Sequence, residues 1–306
     1  MIALVPADAR IEAMGPLPDG VELAVFGDTL PEGVEFCVLD PPARDRFEEI
    51  LPRLTALKVV QALSAGIDRV PKLPDGVTLC NASGVHDGPV AEWIVGAILA
   101  MNKDLPRYVE RQIAGKWDTS GNTAFSGAEG ARDLSEQHVL IVGHGSIGQA
   151  LQWRLAPFGT RVTGIARHPR DGVHGPEDLP GLLPDADVVV LLAPATDETR
   201  GMVDAAFLAR MRPGALLVNA ARGTLVQTPA LLDALREGRV RAALDTTDPE
   251  PLPPGHPLFS APGVLVTPHV AGSSAHWRDR AYRLAGDQLR RYAHGEPLVN
   301  VRRHGY

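Results

Sequence analysis

Residues 139–148 read VLIVGHGSIG: four apolar β-formers followed at once by Gly143, Gly145 and Gly148 in the spacing G-x-G-x-x-G. Few ten-residue segments restrict a fold as tightly. The first glycine of such a segment makes a tight turn off a strand. The second lets backbone approach a pyrophosphate, and the third lets the next helix pack closely on that strand. A helix opening at Ser146 and Ile147 then aims its positive N-terminal end at the phosphates. The segment demands a strand–turn–helix unit in a parallel sheet and predicts a dinucleotide site on it. A glycine turn of purely structural purpose is the alternative.

The surrounding pattern supplies the sheet. Short runs rich in Val, Ile and Leu recur at 2–5, 21–26, 34–39, 58–63 and 77–80, and again at 139–142, 161–166, 187–192, 215–219, 241–244 and 264–266. Such runs suit strands buried on both faces. Residues 43–54 place Phe47, Ile50, Leu51 and Leu54 at helical intervals, and residues 90–102 are almost continuously apolar, as expected of a buried connecting helix. The fold class is α/β: two doubly wound parallel-sheet domains, a dinucleotide-binding one over 100–274 and a smaller one. A last helix over 275–292 returns to the smaller domain, which is thus discontinuous and made of 1–99 and 275–306. Residues 118–132, rich in Gly, Ser, Thr and Ala, are expected to form a surface excursion.

Composition excludes several functions. A formal net charge of -7 repels phosphate backbones and argues against a nucleic-acid partner. Cys37 and Cys80 have no local partner spacing, so neither a metal site nor a disulfide framework is expected, and a reducing, cytoplasmic setting fits. The N-terminal run lacks a leader pattern and no stretch of about 18 apolar residues occurs, so no membrane association is expected.

Polar residues gather just past the predicted strand ends, where open α/β sheets bind ligands: 194–196, Arg222, 245–250 and His269. A strand-end Arg, Glu and His together suggest an anion clamp, an orienting carboxylate and an acid/base group. Taken singly, each has a bland alternative: a surface ion pair, a solvated carboxylate, a loop histidine. His86, just before the connecting helix, is the rival acid/base candidate. Past the second strand of the dinucleotide unit, where NAD-binding chains usually carry an acid for the ribose, stand Ala166, Arg167, His168, Pro169 and Arg170. The missing carboxylate and the nearby guanidinium groups favour NADP over NAD. In the alternative, Arg167 and Arg170 are solvated and the coenzyme is NAD.

The glycine segment, LLAPATDETRGMV, LLVNAARGTLVQTPALLDAL, LDTTDPEPLPPGHPLF, VTPHVAGSS, LSAGIDRV and PVAEW together resemble the D-isomer-specific 2-hydroxyacid dehydrogenases over nearly the whole chain. The resemblance implies an NAD(P)-dependent oxidoreductase that moves a hydride between coenzyme and a small 2-oxo or D-2-hydroxy acid, with glyoxylate and hydroxypyruvate as the expected substrates. It assigns catalysis to Arg222, Glu250 and His269: Arg222 binds the substrate carboxylate, His269 exchanges the proton, and Glu250 bonds the other ring nitrogen. It implies that Ser64, Ala65 and Gly66 face the substrate carboxylate. It places the coenzyme against Gly143, Gly145, Ser146, Ile147, Gly148, Arg167, His168, Arg170, Ala193, Pro194, Thr199, Ala220 and Asp245. For Gly66 and Asp245 a simple turn and a strand-end cap are the alternatives. A homodimer is implied, built mainly through the second domain. Ala195, where a Leu is frequent, and Asn102, where an Arg is frequent, depart from the family pattern. No regulatory extension is expected after the closing helix. The remaining rivals are a coenzyme-binding regulator of the corepressor type and a phosphoglycerate or phosphite dehydrogenase.

Overall fold

The computed structural model describes residues 1–27, 29–121 and 133–302, so most of the expected excursion over 118–132 lies outside the described residues. The chain divides into two compact units, Met1–His86 with Ser273–Tyr306, and Asp87–Gly272. The first division falls at 86/87 instead of 99/100. The reason is packing: Val90, Ala91, Ile94, Ala97, Ile98 and Met101 are buried in one cluster with Val139, Ile141, Leu151 and Leu155. The long helix is therefore part of the second unit's core. The second division falls at 272/273 instead of 274/275.

In the first unit, β1 (Ile2–Val5), β2 (Glu22–Val25), β3 (Val34–Leu39), β4 (Val59–Ala62) and β5 (Thr78–Cys80) form a sheet with β13 (Val301–Arg302) in the order β13-β5-β4-β3-β1-β2. The first five pair in parallel, whereas β13 runs antiparallel to β5. A two-residue strand leaves no apolar pattern, so the sequence does not predict β13. The 43–54 stripe is buried as expected but forms α2 (Arg44–Ile50) and then a 3₁₀ turn, Leu51–Arg53. Pro52 lacks the N–H that would continue the helix. The closing helix α9 (Trp277–Ala293) buries Ala281, Tyr282, Ala285 and Leu289 against Ala3, Val5, Phe36 and Val38.

In the second unit, β6 (His138–Val142), β7 (Arg161–Ile165), β8 (Val173–His174), β9 (Val188–Leu191), β10 (Ala215–Asn219), β11 (Val240–Leu244) and β12 (Val264–Val266) pair in parallel in the order β12-β11-β10-β9-β6-β7-β8. Six of these match the predicted runs, and the short β8 extends the edge. Side chains alternate between two covered faces: Ala215 and Leu217 enter one cluster, Leu216 and Val218 the other. That burial on both sides is why β10 reads as an unbroken apolar run. The chain builds outward from β6 to β8, then returns to the other side of β6 at β9. Strand order thus reverses between β6 and β9, and the crevice for a ligand opens beyond their carboxyl ends.

Candidate active site

The glycine segment lies at this reversal. Gly143 leaves β6 with φ +106, and a Cβ there would overlap the backbone of Leu192 and Ala193 at the exit of β9. Only glycine allows that contact. Gly148 lies at the start of α5 (Ser146–Leu155), where a Cβ would stand 3.0 Å from Gly143 O. A Cβ on Gly145 would instead meet nothing within 4 Å, so the turn faces open space in front of the α5 N-terminus. Such a cradle, bare backbone at a helix N-terminus, fits the pyrophosphate of a dinucleotide.

The flanking residues border the same loops. Ser146 donates to Asp87 at 3.1 Å, and Ile147 and Ala220 pack on the core cluster. Ala193 is buried, and Pro194 O accepts from Thr199 Oγ1 at 2.6 Å, which also accepts from Thr196 N at 2.8 Å. Past β7, His168 is exposed and Arg167 makes a loose, exposed pair with Glu198 at 3.9 Å. Arg170 is exposed, but its Nη2 donates to His144 O at 2.7 Å and lies 3.0 Å from His144 Nδ1. His144, in the middle of the glycine turn, was not among the residues singled out by sequence. Its position inside G-x-G was the available signal.

The residues expected to react lie past the exits of β10, β11 and β12. Asn219, wholly buried, closes the first exit: its Nδ2 donates to Arg222 O at 2.9 Å and its Oδ1 accepts from Ala221 N at 3.1 Å. Arg222 is half-buried and its Nη1 donates to Ala221 O at 2.7 Å. The next residue, Gly223, lies so close to Thr247 that a Cβ would overlap that backbone, which joins the β10 and β11 exits. Asp245 then holds the β12 exit. Its Oδ1 accepts from Thr267 Oγ1 at 2.6 Å and Val270 N at 2.8 Å, its Oδ2 from Ala271 N at 2.8 Å, and its carbonyl from His269 N at 2.8 Å. At its centre His269 adopts φ +54, a conformation unfavourable for a residue bearing a side chain. His269 Nδ1 lies 2.7 Å from Glu250 Oε1. A carboxylate only accepts, so Nδ1 carries the hydrogen of this contact, and Nε2 lies on the other side of the ring.

Residues 95–271 match the family described as D-isomer specific 2-hydroxyacid dehydrogenase, NAD binding domain. The glyoxylate reductase of Thermofilum pendens is 34% identical over 267 residues, spanning 82% of this chain and 77% of that protein. The chain belongs to the D-isomer specific 2-hydroxyacid dehydrogenase family. Among solved structures, a family member from Xanthobacter autotrophicus Py2 in complex with NADPH and MES superposes with TM-score 0.83 at 33% identity, covering 99% of each chain. The NADPH-dependent glyoxylate/hydroxypyruvate reductase of Sinorhizobium meliloti, bound to NADP and sulfate, gives TM-score 0.83 at 27% identity over 100% of this chain and 99% of that one. The protein is accordingly an NAD(P)-dependent oxidoreductase of 2-hydroxy acids, with a Rossmann coenzyme domain.

Asp245, expected against the coenzyme with a strand-end cap as the alternative, is buried and bonded to the loop after β12. Those bonds tie it to the loop that carries His269. His86 belongs to the first unit, its Nε2 lying 3.4 Å from Leu63 O and its ring 5.5 Å from that of Trp277. Also in the first unit, Ser64, Ala65 and Gly66 follow β4. Ser64 O accepts from Ala82 N at 3.0 Å and Ala65 O from Asn81 Nδ2 at 2.6 Å. In a trans peptide N–H points opposite to C=O, so the amides of Ala65 and Gly66 point away from those partners. Ser64 Oγ donates to Gly66 O at 2.7 Å and accepts from Arg44 at 3.1 Å, which stiffens the loop. Among the described residues, no helix is long and apolar enough to cross a membrane, and no group of His, Cys, Asp or Glu is set to hold a metal ion.

Proposed function

We propose that the protein reduces a small 2-oxo acid, glyoxylate or hydroxypyruvate, to the D-2-hydroxy acid, using NADPH in preference to NADH. The observation that carries the assignment of roles is the His269–Glu250 contact of 2.7 Å on a loop held by Asp245. The coenzyme, when bound, supplies the hydride for the carbonyl carbon. His269, oriented through Nδ1 by Glu250, donates a proton from Nε2 to the developing alkoxide and takes one back in oxidation. Arg222 binds the substrate carboxylate with its planar, permanently charged fork and polarises the carbonyl. The Ala65 and Gly66 amides are assigned to binding an anionic group of the substrate.

The coenzyme is assigned to the cradle at Gly143, Gly145, Ser146, Ile147 and Gly148, with Ala193, Pro194, Thr199 and Ala220 lining its course. Preference for NADPH is supported by Ala166, which offers no carboxylate to repel a 2′-phosphate, and by Arg167, His168 and Arg170 on the same loop. The Xanthobacter and Sinorhizobium relatives, crystallised with NADPH and NADP, support the same preference. A cytoplasmic location is supported by Cys37 and Cys80, both buried free thiols, the latter's pKa raised by burial to about 11. We assign a homodimer, supported by Leu105, Val109 and Ile113, exposed at four-residue intervals along α4 (Leu105–Ile113), and by exposed Trp117 and Trp153.

The test is nicotinamide absorbance with glyoxylate, hydroxypyruvate, pyruvate and 3-phosphohydroxypyruvate against NADPH and NADH. Turnover highest with the first two and NADPH is the expected result. No turnover of any acid with either coenzyme would overturn the assignment, and selective use of the phosphorylated acid would move it to a phosphoglycerate dehydrogenase.

A further inference from the structure

Preference for a 2′-phosphate needs a cation, and an arginine on an exposed loop reads a phosphate poorly when its long side chain must be ordered at the moment of binding. Arg170 is ordered beforehand. Its backbone exchanges hydrogen bonds with Val173, Arg170 N to Val173 O at 3.1 Å and Val173 N to Arg170 O at 2.8 Å, which closes the turn before β8. Its Nη2 is fixed at 2.7 Å from the carbonyl and 3.0 Å from the Nδ1 of His144.

His144 is itself immobilised. It is 5% exposed, its ring lies against Gly164 of β7 so closely that a Cβ there would overlap it, and its Nε2 lies 2.6 Å from Gln152 Oε1 on α5. A guanidinium only donates, so Nδ1 accepts. An amide oxygen only accepts, so Nε2 carries the hydrogen. In this arrangement the Nδ1 lone pair is turned to Arg170. Three elements meet on it: the glycine turn after β6, the first turns of α5, and the loop after β7.

We propose that His144 is a specificity-determining positioning residue, holding the Arg170 guanidinium against the glycine turn so that it stands ready for the 2′-phosphate of NADPH. The proposal rests on the NADPH preference assigned above. The two Nη2 hydrogens account for the bonds to His144, and the guanidinium's three other N–H groups are those assigned to the phosphate. His144 touches neither substrate nor phosphate in this scheme and acts through Arg170.

The experiment measures dissociation constants of NADPH and NADH by titration calorimetry on the full chain and on four variants: His144→Phe, His144→Asn, Arg170→Ala and the double variant His144→Phe with Arg170→Ala. Phenylalanine keeps the ring's shape without its lone pair, while the asparagine amide oxygen stands in for Nδ1. The native chain is expected to favour NADPH. His144→Phe should lose about ten-fold or more of that ratio, the effect of removing one charge-assisted hydrogen bond, and His144→Asn should keep most of it. Arg170→Ala should lose as much, and the double variant no more than Arg170→Ala, because the two residues act as one unit. A native ratio retained in His144→Phe, losses that multiply in the double variant, or a His144→Asn ratio equal to that of Arg170→Ala would each overturn the proposal. The last comparison serves if His144→Phe does not fold. Equal affinity of the native chain for both coenzymes would instead overturn the NADPH preference, and this inference with it.

Discussion

At the scale of single residues, His269 combines two requirements that pull against each other. Its ring must reach Glu250 while its backbone stands at φ +54. The bonds from Asp245 to Thr267, Val270 and Ala271 hold that arrangement. His269→Gln should lower kcat by about 10² to 10⁴, the usual contribution of a general acid, with coenzyme affinity nearly intact; calorimetry and steady-state kinetics check both. Asp245→Asn should act differently. An amide nitrogen turned toward any of its N–H partners loses the bond and adds a repulsion, so kcat falls and the melting temperature drops as well, with a cost of about 1–3 kcal/mol. Turnover lost without any change in melting temperature would show that Asp245 serves the coenzyme and not the loop. Arg222, Glu250 and His269 stand out in the sequence as candidates because each combines a reactive side chain with a strand end. The loop-gripping task of Asp245 does not, since an aspartate after a strand looks the same whether it caps backbone or meets a ligand.

At the scale of elements, β6 carries a titratable group at its first residue. His138 Nδ1 lies 3.1 Å from Asp185 O and Nε2 2.8 Å from Thr163 Oγ1. Burial disfavours the charged ring and holds its pKa below the ordinary value, partly offset by the Asp185 carbonyl. Folding thus opposes protonation at this site. The unfolded chain binds a proton more readily, so the His138 contribution is fully present above pH ~6.5, the ordinary histidine value, and is lost as pH falls through the lowered one. The melting temperature is expected to hold from pH 8 to 7 and to decline below about 6.5, and His138→Gln should flatten that decline. An unchanged slope in the variant would assign the acid sensitivity elsewhere. The same strand ends at Gly143, where Gly143→Ala should abolish coenzyme binding or folding, because a side chain there collides with the exit of β9. The runs that became β6, β9, β10 and β11 were legible because nearly every residue in them is buried. Strands β8 and β13 were not, because two residues are too few to show a period.

At the scale of the whole molecule, α4 presents Leu105, Val109 and Ile113 to solvent, with Ile113 83% and Trp117 94% exposed. Large apolar groups in such a stripe favour a second protein surface. Ile113→Glu combined with Trp117→Arg should convert the assigned homodimer to a monomer in sedimentation or light scattering; a native chain already monomeric would remove that assignment. The stripe is present in the sequence at positions four apart. It could not be told from a core-facing helix there, since periodicity reports that one face is apolar and not what covers it.

The sequence by itself determined the α/β class and the glycine turn, and marked Arg222, Glu250 and His269 as the candidates for catalysis, because glycine spacing, buried apolar strands and strand-end polar residues are local consequences of backbone sterics and burial. Tertiary structure alone decided that Asp87–Asn102 joins the second unit, that Asp245 grips the His269 loop, and that His144 ties Arg170 to the glycine turn. Each of these joins residues remote in sequence, and hydrogen-bond geometry and close packing between such residues exist only once the sheet has set their distances.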